Sequence, residues 1–167
     1  MIYFITGGQR SGKSSYGQKL ALQLSDNPIY LATSRIWDED HKARIERHKS
    51  DRDIRWTNIE EEKYISNHDF TGKTVVMDCV TLWLTNYFVD TKNEVEISLL
   101  EAKEELAKLF RQDANFIIIS NELGMGLHAE TEVGRKFTDL QGWTNQFIAR
   151  KADEVFLMVS GIPVKVK

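Results

Sequence analysis

The chain has 167 residues, of which 41% are hydrophobic and 28% charged, with 10 glycines and 2 prolines. That composition suits a single globular domain over residues 1–167, able to bury about 70% of the surface its unfolded chain exposes, and excludes collagen-like, low-complexity and long disordered chains. A formal net charge of -3 excludes the global positive field that recruits nucleic acid or an anionic membrane, so a bound anion has to be held locally.

The first predicted element is the strand "IYFIT" at 2–6. The opening "MIYFITGG" has no basic leader and reaches a glycine turn too early for a signal peptide. No apolar run approaches the ~20 residues of a membrane-spanning helix. The expectation is a cytoplasmic protein with no membrane insertion. Directly after the strand stand Gly7, Gly8, Gln9, Arg10, Ser11, Gly12, Lys13 and Ser14, a full match to G-x-x-x-x-G-K-[ST]. Glycines at these places let the backbone turn its N–H groups inward, and the helix predicted over 11–26 adds the positive end of its dipole. The concavity suits a triphosphate, with Lys13 reaching the β- and γ-phosphates and the Ser14 hydroxyl on Mg²⁺.

A second strand, "PIYLAT" (28–33), leads to a basic helical pattern over 38–52. At helical periodicity His41, Arg44, His48 and Arg52 share one face, while Ile45 and the arginine stems pack inward. Neighbouring cations disfavour a charged imidazole, leaving a nitrogen able to attack phosphorus, and they balance charge on a phosphoryl group. A solvated basic face explains the same spacing and is the commoner use of such a stretch. Spacing alone leaves both open.

The strand "TVVMD" (74–78) ends in Asp78, placed to hold Mg²⁺ directly or through water as a Walker B carboxylate, with helix capping as the structural alternative. Cys79, the one cysteine, forms no internal disulfide; this agrees with a reducing compartment, and it reads as a structural thiol. No cysteine/histidine cluster supports a zinc site. Helical patterns at 94–113 and 134–153 flank the strand "NFIIIS" (115–120). Just beyond it, Asn121 and Glu122 stand where an open parallel sheet places its ligands, with substrate orientation and loop structure both open as roles. Asp139-Leu140-Gln141-Gly142 spells the D-x-x-G of switch GTPases, but it falls inside a helical pattern and N-K-x-D is missing, which argues against a switch. "EVFLMV" (154–159) is a fifth strand, and "VSGIPVKVK" supplies another after a turn marked by Gly161 and Pro163. Continuous apolar strands alternating with helices predict an α/β fold, a three-layer P-loop NTPase-like arrangement with a mostly parallel central sheet flanked by helices.

Several blocks now fall into one order: "ITGGQRSGKS", "YLATSRIWDED", "ARIERHKSDR", Trp56 in "WTNIE", "DCVTLWLTN", "SNELGMG", "FTDLQGWTNQ" and "DEVFLMVSGIPVKVK". Nearly end to end they resemble the bifunctional adenosylcobinamide kinase and adenosylcobinamide-phosphate guanylyltransferase family of cobalamin assembly. The chain departs from the pattern at Leu127-His128-Ala129, where many relatives have an aliphatic-proline turn, and at Thr138, where arginine is common.

The resemblance implies two reactions. In the first, the γ-phosphoryl group of ATP or GTP moves to the aminopropanol hydroxyl of adenosylcobinamide. In the second, a histidine takes GMP from GTP, releases pyrophosphate and passes GMP to adenosylcobinamide phosphate, giving adenosylcobinamide-GDP. Mg²⁺ and a homotrimer are implied as well. On the matching positions, His48 corresponds to the guanylylated histidine. Lys49, Ser50, Asp51 and Arg52 resemble its nucleotide-binding neighbours, as do Ala32, Thr33 and Ser34. Glu60 and Asp78 fall at two acidic nucleotide-contacting positions. His41, His68 and His128 match no motif.

Overall fold

The computed structural model describes residues 1–35 and 53–167; the basic pattern at 38–52 lies outside the described residues. Strand β1 (Ile2–Gly7) leads through a glycine-rich turn to helix α1 (Lys13–Leu24) and strand β2 (Ile29–Ala32). The chain continues through β3 (Thr57–Glu60), a 3-10 turn at Ile65–Asn67, β4 (Thr74–Asp78), α2 (Val80–Asp90) and α3 (Val95–Leu109). It ends with β5 (Asn115–Ile119), α4 (Glu132–Lys151), β6 (Glu154–Val159) and β7 (Ile162–Lys165).

Among the described residues the strands form one sheet in the order β3-β2-β4-β5-β1-β6-β7. Neighbours run parallel except for β7, which returns antiparallel to β6. Successive residues of a strand face opposite sides, and both sides are covered. Phe4, Val75, Met77 and Phe116 pack against Trp83 of α2, Leu106 of α3 and Ile148 of α4. On the other face Tyr3, Ile5, Val76 and Ile119 pack with Ala21 of α1. This is the expected three-layer α/β arrangement, and it explains why β1, β4 and β5 are apolar without alternation.

Parallel strands share one direction, so their carboxyl ends lie along a single edge. Residue register places Glu60, Ala32, Asp78 and Ile119 as neighbours across β3, β2, β4 and β5. The glycine-rich turn leaves the same edge from β1, two strand spacings from Asp78, or about 9–10 Å.

Two elements escape the sequence pattern. Strand β3 has mostly exposed side chains, with only Ile59 partly covered, so it lacks the apolar run of its neighbours. Helix α2 buries Val80, Trp83, Leu84, Tyr87 and Phe88 along one face, but Leu82 and the exposed Val89 put apolar side chains on the other and no charge precedes Asp90, so the polar half of the amphipathic pattern is faint. A third difference is Pro163, expected to mark a turn. It lies within β7, opposite Met158, on an edge strand where a missing N–H is tolerated. The turn is made by Ser160 (φ 49°) and Gly161 (φ 89°), both left-handed as a two-residue hairpin with matching twist requires.

Trp83 is fully buried and its indole N–H donates to the Lys63 carbonyl at 3.0 Å. Trp83→Ala leaves a cavity and removes one of the two hydrogen bonds to the Lys63 carbonyl, which keeps the Tyr87 hydroxyl at 2.9 Å, and it should lower unfolding stability by about 3–5 kcal/mol. Urea titration followed by circular dichroism measures it; a loss under about 1 kcal/mol would contradict the packing described.

Candidate active site

Helix α1 is preceded by Gly12 as its N-cap, which has φ 92° and offers no side chain to cap with, and the first turn of the helix has no acidic residue. The contrast within the molecule is α4, where Thr131 accepts a hydrogen bond from the Gly134 N–H and Glu132 stands in the first turn. The leading N–H groups of α1 are therefore left for an anion. A Cβ on Gly12 would lie 3.1 Å from Gly161 Cα, and the Gly161 N–H donates to the Ser11 carbonyl at 2.9 Å. The β6–β7 hairpin turn thus braces the phosphate loop from behind, a contact between residues about 150 positions apart. Gly8, Gln9 and Arg10 form the exposed crest, with Arg10 held in a left-handed conformation at φ 57°.

Lys13 is only 6% exposed. Its ammonium folds back over the loop to the Gly8 carbonyl at 2.5 Å and Ser11 Oγ at 3.4 Å. Burial pushes its pKa below the ordinary lysine value, against the opposing pull of Cys79 and Asp78. Lys13 and Ser14 line one cleft of about 360 Å³ together with Asp78, Cys79, Ile119 and Asn121. The Asp78 carboxylate accepts the Tyr30 hydroxyl at 3.0 Å, which orients it at the strand end. The Cys79 thiol is buried and free, its pKa pushed up to about 12 by burial and then by Asp78. It stays a neutral thiol, as a structural role requires.

The remaining expected contacts spread along the same edge. Thr33 is fully buried and its hydroxyl donates to the Cys79 carbonyl at 3.0 Å. Ser34 Oγ donates to the Arg35 carbonyl at 2.9 Å. Glu60, exposed at the end of β3, pairs in register with Ala32 but stands away from the cleft that Lys13 lines. His41 and His48, with Lys49, Ser50, Asp51 and Arg52, lie outside the described residues. The last described residue before them is Arg35, whose guanidinium forks onto both Asp90 oxygens at 2.6 and 3.0 Å and reaches Glu62 at 2.6 Å. Lys63 joins Asp90 at 3.0 Å. Hydrogen bonds from Arg35, then Lys63, hold the Asp90 carboxyl well below the usual carboxylate range. His68 lies 3.6 Å from Glu61, away from the cleft. His128 is exposed.

Three arrangements here are not apparent from the sequence, although Asn145 itself reads there as a candidate for a subunit contact or helix interface. One is the Ser160–Gly161 brace. The second is Asn86, buried in α2, whose amide donates to the carbonyls of Thr33 and Glu62, each at 2.8 Å. The third is a buried set beyond β5 in which Ser120, Gln141 and Asn145 bond one another and Asn145 holds the Asn121 carbonyl at 3.0 Å. Polar residues inside helices read as solvent-facing unless the partner loop is known.

An open parallel sheet, a glycine turn feeding an uncapped helix, and a lysine, serine and aspartate around one cleft define a phosphate-loop nucleotide-binding protein of the α/β class. Within that class the chain belongs to the cobinamide kinase / cobinamide phosphate guanyltransferase family, whose sequence profile matches residues 3–166. It is 34% identical to the bifunctional adenosylcobalamin biosynthesis protein CobU of Escherichia coli over 182 residues, covering 100% of both chains. It is 32% identical to the bifunctional adenosylcobalamin biosynthesis protein CobP of Pseudomonas aeruginosa, covering 98% of this chain and 95% of that protein. Among solved structures, the flagellar accessory protein FlaH of Methanocaldococcus jannaschii aligns with a TM-score of 0.48 and 13% identity, over 99% of this chain and 77% of that one.

Desolvation of Lys13 makes a prediction about the nucleotide-free protein. Lys13→Met removes a buried ammonium, so the variant should melt at a higher temperature than wild type at pH 7 while losing triphosphate binding. With the folded pKa below the unfolded one, the native state binds fewer protons between the two values and stability rises with pH there. The advantage of Lys13→Met should therefore shrink as pH climbs through the ordinary lysine range. Melting curves at pH 7 and pH 10.5 test this, and a lower Tm for the variant at pH 7 contradicts it.

Proposed function

We propose that the protein phosphorylates the aminopropanol hydroxyl of adenosylcobinamide with ATP or GTP, then transfers GMP from GTP to the new phosphate through a guanylyl-His48 intermediate. The observation that carries this reading is the family match across residues 3–166 on a chain whose phosphate-loop cleft is fully formed. In the first reaction the backbone N–H groups from Gly7 to Ser14 cradle the phosphates, and Lys13 leaves the Gly8 carbonyl to meet the β- and γ-oxygens. The acceptor hydroxyl oxygen bonds to the γ-phosphorus as the bridge to the β-phosphate breaks.

In the second reaction a neutral His48 nitrogen attacks the α-phosphorus of GTP, forming a P–N bond while the bond to the β-phosphate breaks and pyrophosphate leaves. The phosphate oxygen of adenosylcobinamide phosphate then displaces His48, which regenerates the imidazole and gives adenosylcobinamide-GDP. Splitting the transfer into two displacements is what an activated nucleophile accomplishes. Lys49, Ser50, Asp51 and Arg52 would attend the nucleotide beside His48. Ala32, Thr33, Ser34 and Glu60 would extend the nucleotide site along the sheet edge.

Ser14 and Asp78 are the residues that would hold Mg²⁺, since both line the cleft and both offer hard oxygen donors. Among the described residues no group of three or more His, Cys, Asp or Glu gathers into a metal cage, which fits an ion completed by phosphate and water. When bound, Mg²⁺ neutralises phosphate charge. Among the described residues no helix is long and apolar enough to cross a membrane, and the cytoplasm is the proposed location. A homotrimer is the proposed assembly; Ile162, Val164 and Val166 expose apolar side chains beside the sheet edge, suited to contact between copies.

GTP labelled at the α-phosphate tests the covalent step. Wild-type protein should acquire acid-labile, alkali-stable label, and His48→Ala should lose it while still phosphorylating adenosylcobinamide. Phosphorylated product with no labelled protein would remove the guanylyl-histidine route.

A further inference from the structure

Asn121 lines the cleft with a polar side chain to which the proposed mechanism gives no task. It follows β5, which lies between β1, the strand that feeds the phosphate loop, and β4, the strand that ends in Asp78. Its backbone is fixed from several directions. The Asn121 N–H donates to Thr81 Oγ1 at 3.2 Å, and its carbonyl accepts from Asn145 Nδ2 at 3.0 Å. One residue on, the Glu122 N–H donates to the Gly7 carbonyl at 2.9 Å, which ties this loop to the phosphate loop itself.

The group that holds Asn145 is buried: Ser120 Oγ donates to Asn145 Oδ1 at 2.7 Å, and Gln141 Nε2 donates to Ser120 Oγ at 2.6 Å. Gln141 Oε1 is left without a partner in this interior. Buried polar groups with an unpaired atom cost stability, so apolar residues would serve better if packing were the sole requirement. What the network achieves is position, since it fixes the Asn121 backbone. The Asn121 carboxamide, by contrast, makes no hydrogen bond among the described residues, and the residue lines the cleft with Lys13, Ser14 and Asp78.

We propose that the Asn121 carboxamide donates a hydrogen bond to the terminal phosphate of the bound nucleoside triphosphate, and that Asn145 is the residue that positions it. The inference deepens the nucleotide reading above and rests on it. Between the Lys13 ammonium at the start of α1 and the Asp78 carboxylate at the end of β4, a neutral donor adds direction without changing the charge balance. The same phosphate is transferred in the kinase reaction and departs within pyrophosphate in guanylyl transfer. One contact therefore serves both, and Asn121 takes no part in making or breaking bonds.

Binding of a non-hydrolysable GTP analogue and of GDP, each with Mg²⁺, separates this contact from the rest of the site. Asn121→Ala should weaken the analogue about tenfold and leave GDP affinity unchanged, the latter also reporting that the variant is folded. Asn121→Asp, nearly identical in size, should lose more of the triphosphate preference by placing a second carboxylate near phosphate. In the kinase assay Asn121→Ala should lower kcat about a hundredfold with KM for adenosylcobinamide unchanged. Asn145→Ala should lower kcat in part, and the double variant should be no slower than Asn121→Ala alone. A triphosphate-to-diphosphate preference within twofold of wild type in both Asn121 variants overturns this contact alone. Wild-type protein that binds neither nucleotide overturns the nucleotide reading, and this contact with it.

Discussion

At Gly7 the first strand runs so close to β6 that no side chain fits: a Cβ there would lie 2.7 Å from the Met158 carbonyl oxygen and 2.9 Å from Ser11 Oγ. The positive φ of 148° suits glycine for the same reason. From this close approach the rest of the site follows. The backbone can leave β1 sharply enough to form the phosphate loop, and the loop can lie against the hairpin that joins β6 to β7. The phosphate loop is thus built from Gly7 to Ser14 and supported by the last dozen residues. It exists only when the sheet is complete, because β6 must dock on β1 before Met158 and Gly161 are in place.

Away from the loop, the functional edge is held by single polar side chains more than by apolar packing. Asn86 ties the Thr33 and Glu62 carbonyls, Thr33 ties the Cys79 carbonyl, and Asn145 ties the Asn121 carbonyl. Each clamp acts on a loop at the carboxyl edge, where backbone groups have run out of strand partners. A buried carbonyl left unpaired costs about 1–3 kcal/mol, so each clamp removes an alternative conformation as well as a penalty. The interior beneath is conventional, with aromatic and aliphatic side chains from both faces of the sheet. Rigid apolar layers set where the strand ends are, and the clamps set what the loops beyond them present.

The phosphate loop was legible because its chemistry demands particular residues at fixed spacing, immediately after a strand that is itself apolar and continuous. Asp78 was legible for the same reason, as a carboxylate ending a buried strand. Strand β3 was not, since an exposed edge strand has no apolar run to betray it, and α2 was not, since Leu82 and Val89 on its outer side and the absence of charge before Asp90 leave its buried stripe without a polar counterpart. The Ser160–Gly161 brace joins positions too distant in sequence for any local pattern to connect. Asn86 looks like an ordinary surface residue of a helix until the loops it holds are placed, and Asn145 reads in sequence as a subunit or helix contact, with nothing local to show the loop it holds. For His48 the argument stays with sequence and family, because its segment lies outside the described residues.

The two proposed reactions make different demands on one triphosphate. Phosphoryl transfer needs an acceptor at the γ-phosphorus, deep beside Lys13 and Asp78, whereas guanylylation needs a nucleophile at the α-phosphorus, nearer the nucleoside. A rigid loop can hold the triphosphate for both, provided the nucleophile for the second reaction comes from a different part of the chain. In the proposed reading, the chain that carries His48 follows β2. This strand ends on the same edge as the phosphate loop, three strands away, and the chain leaves it through Arg35, fixed by Asp90, Glu62 and their neighbour Lys63. The point from which the His48 segment departs is therefore anchored independently of the nucleotide. A site arranged this way can keep the phosphates still and change which phosphorus is attacked by changing what approaches, which is the simplest physical basis for two transfers at one loop.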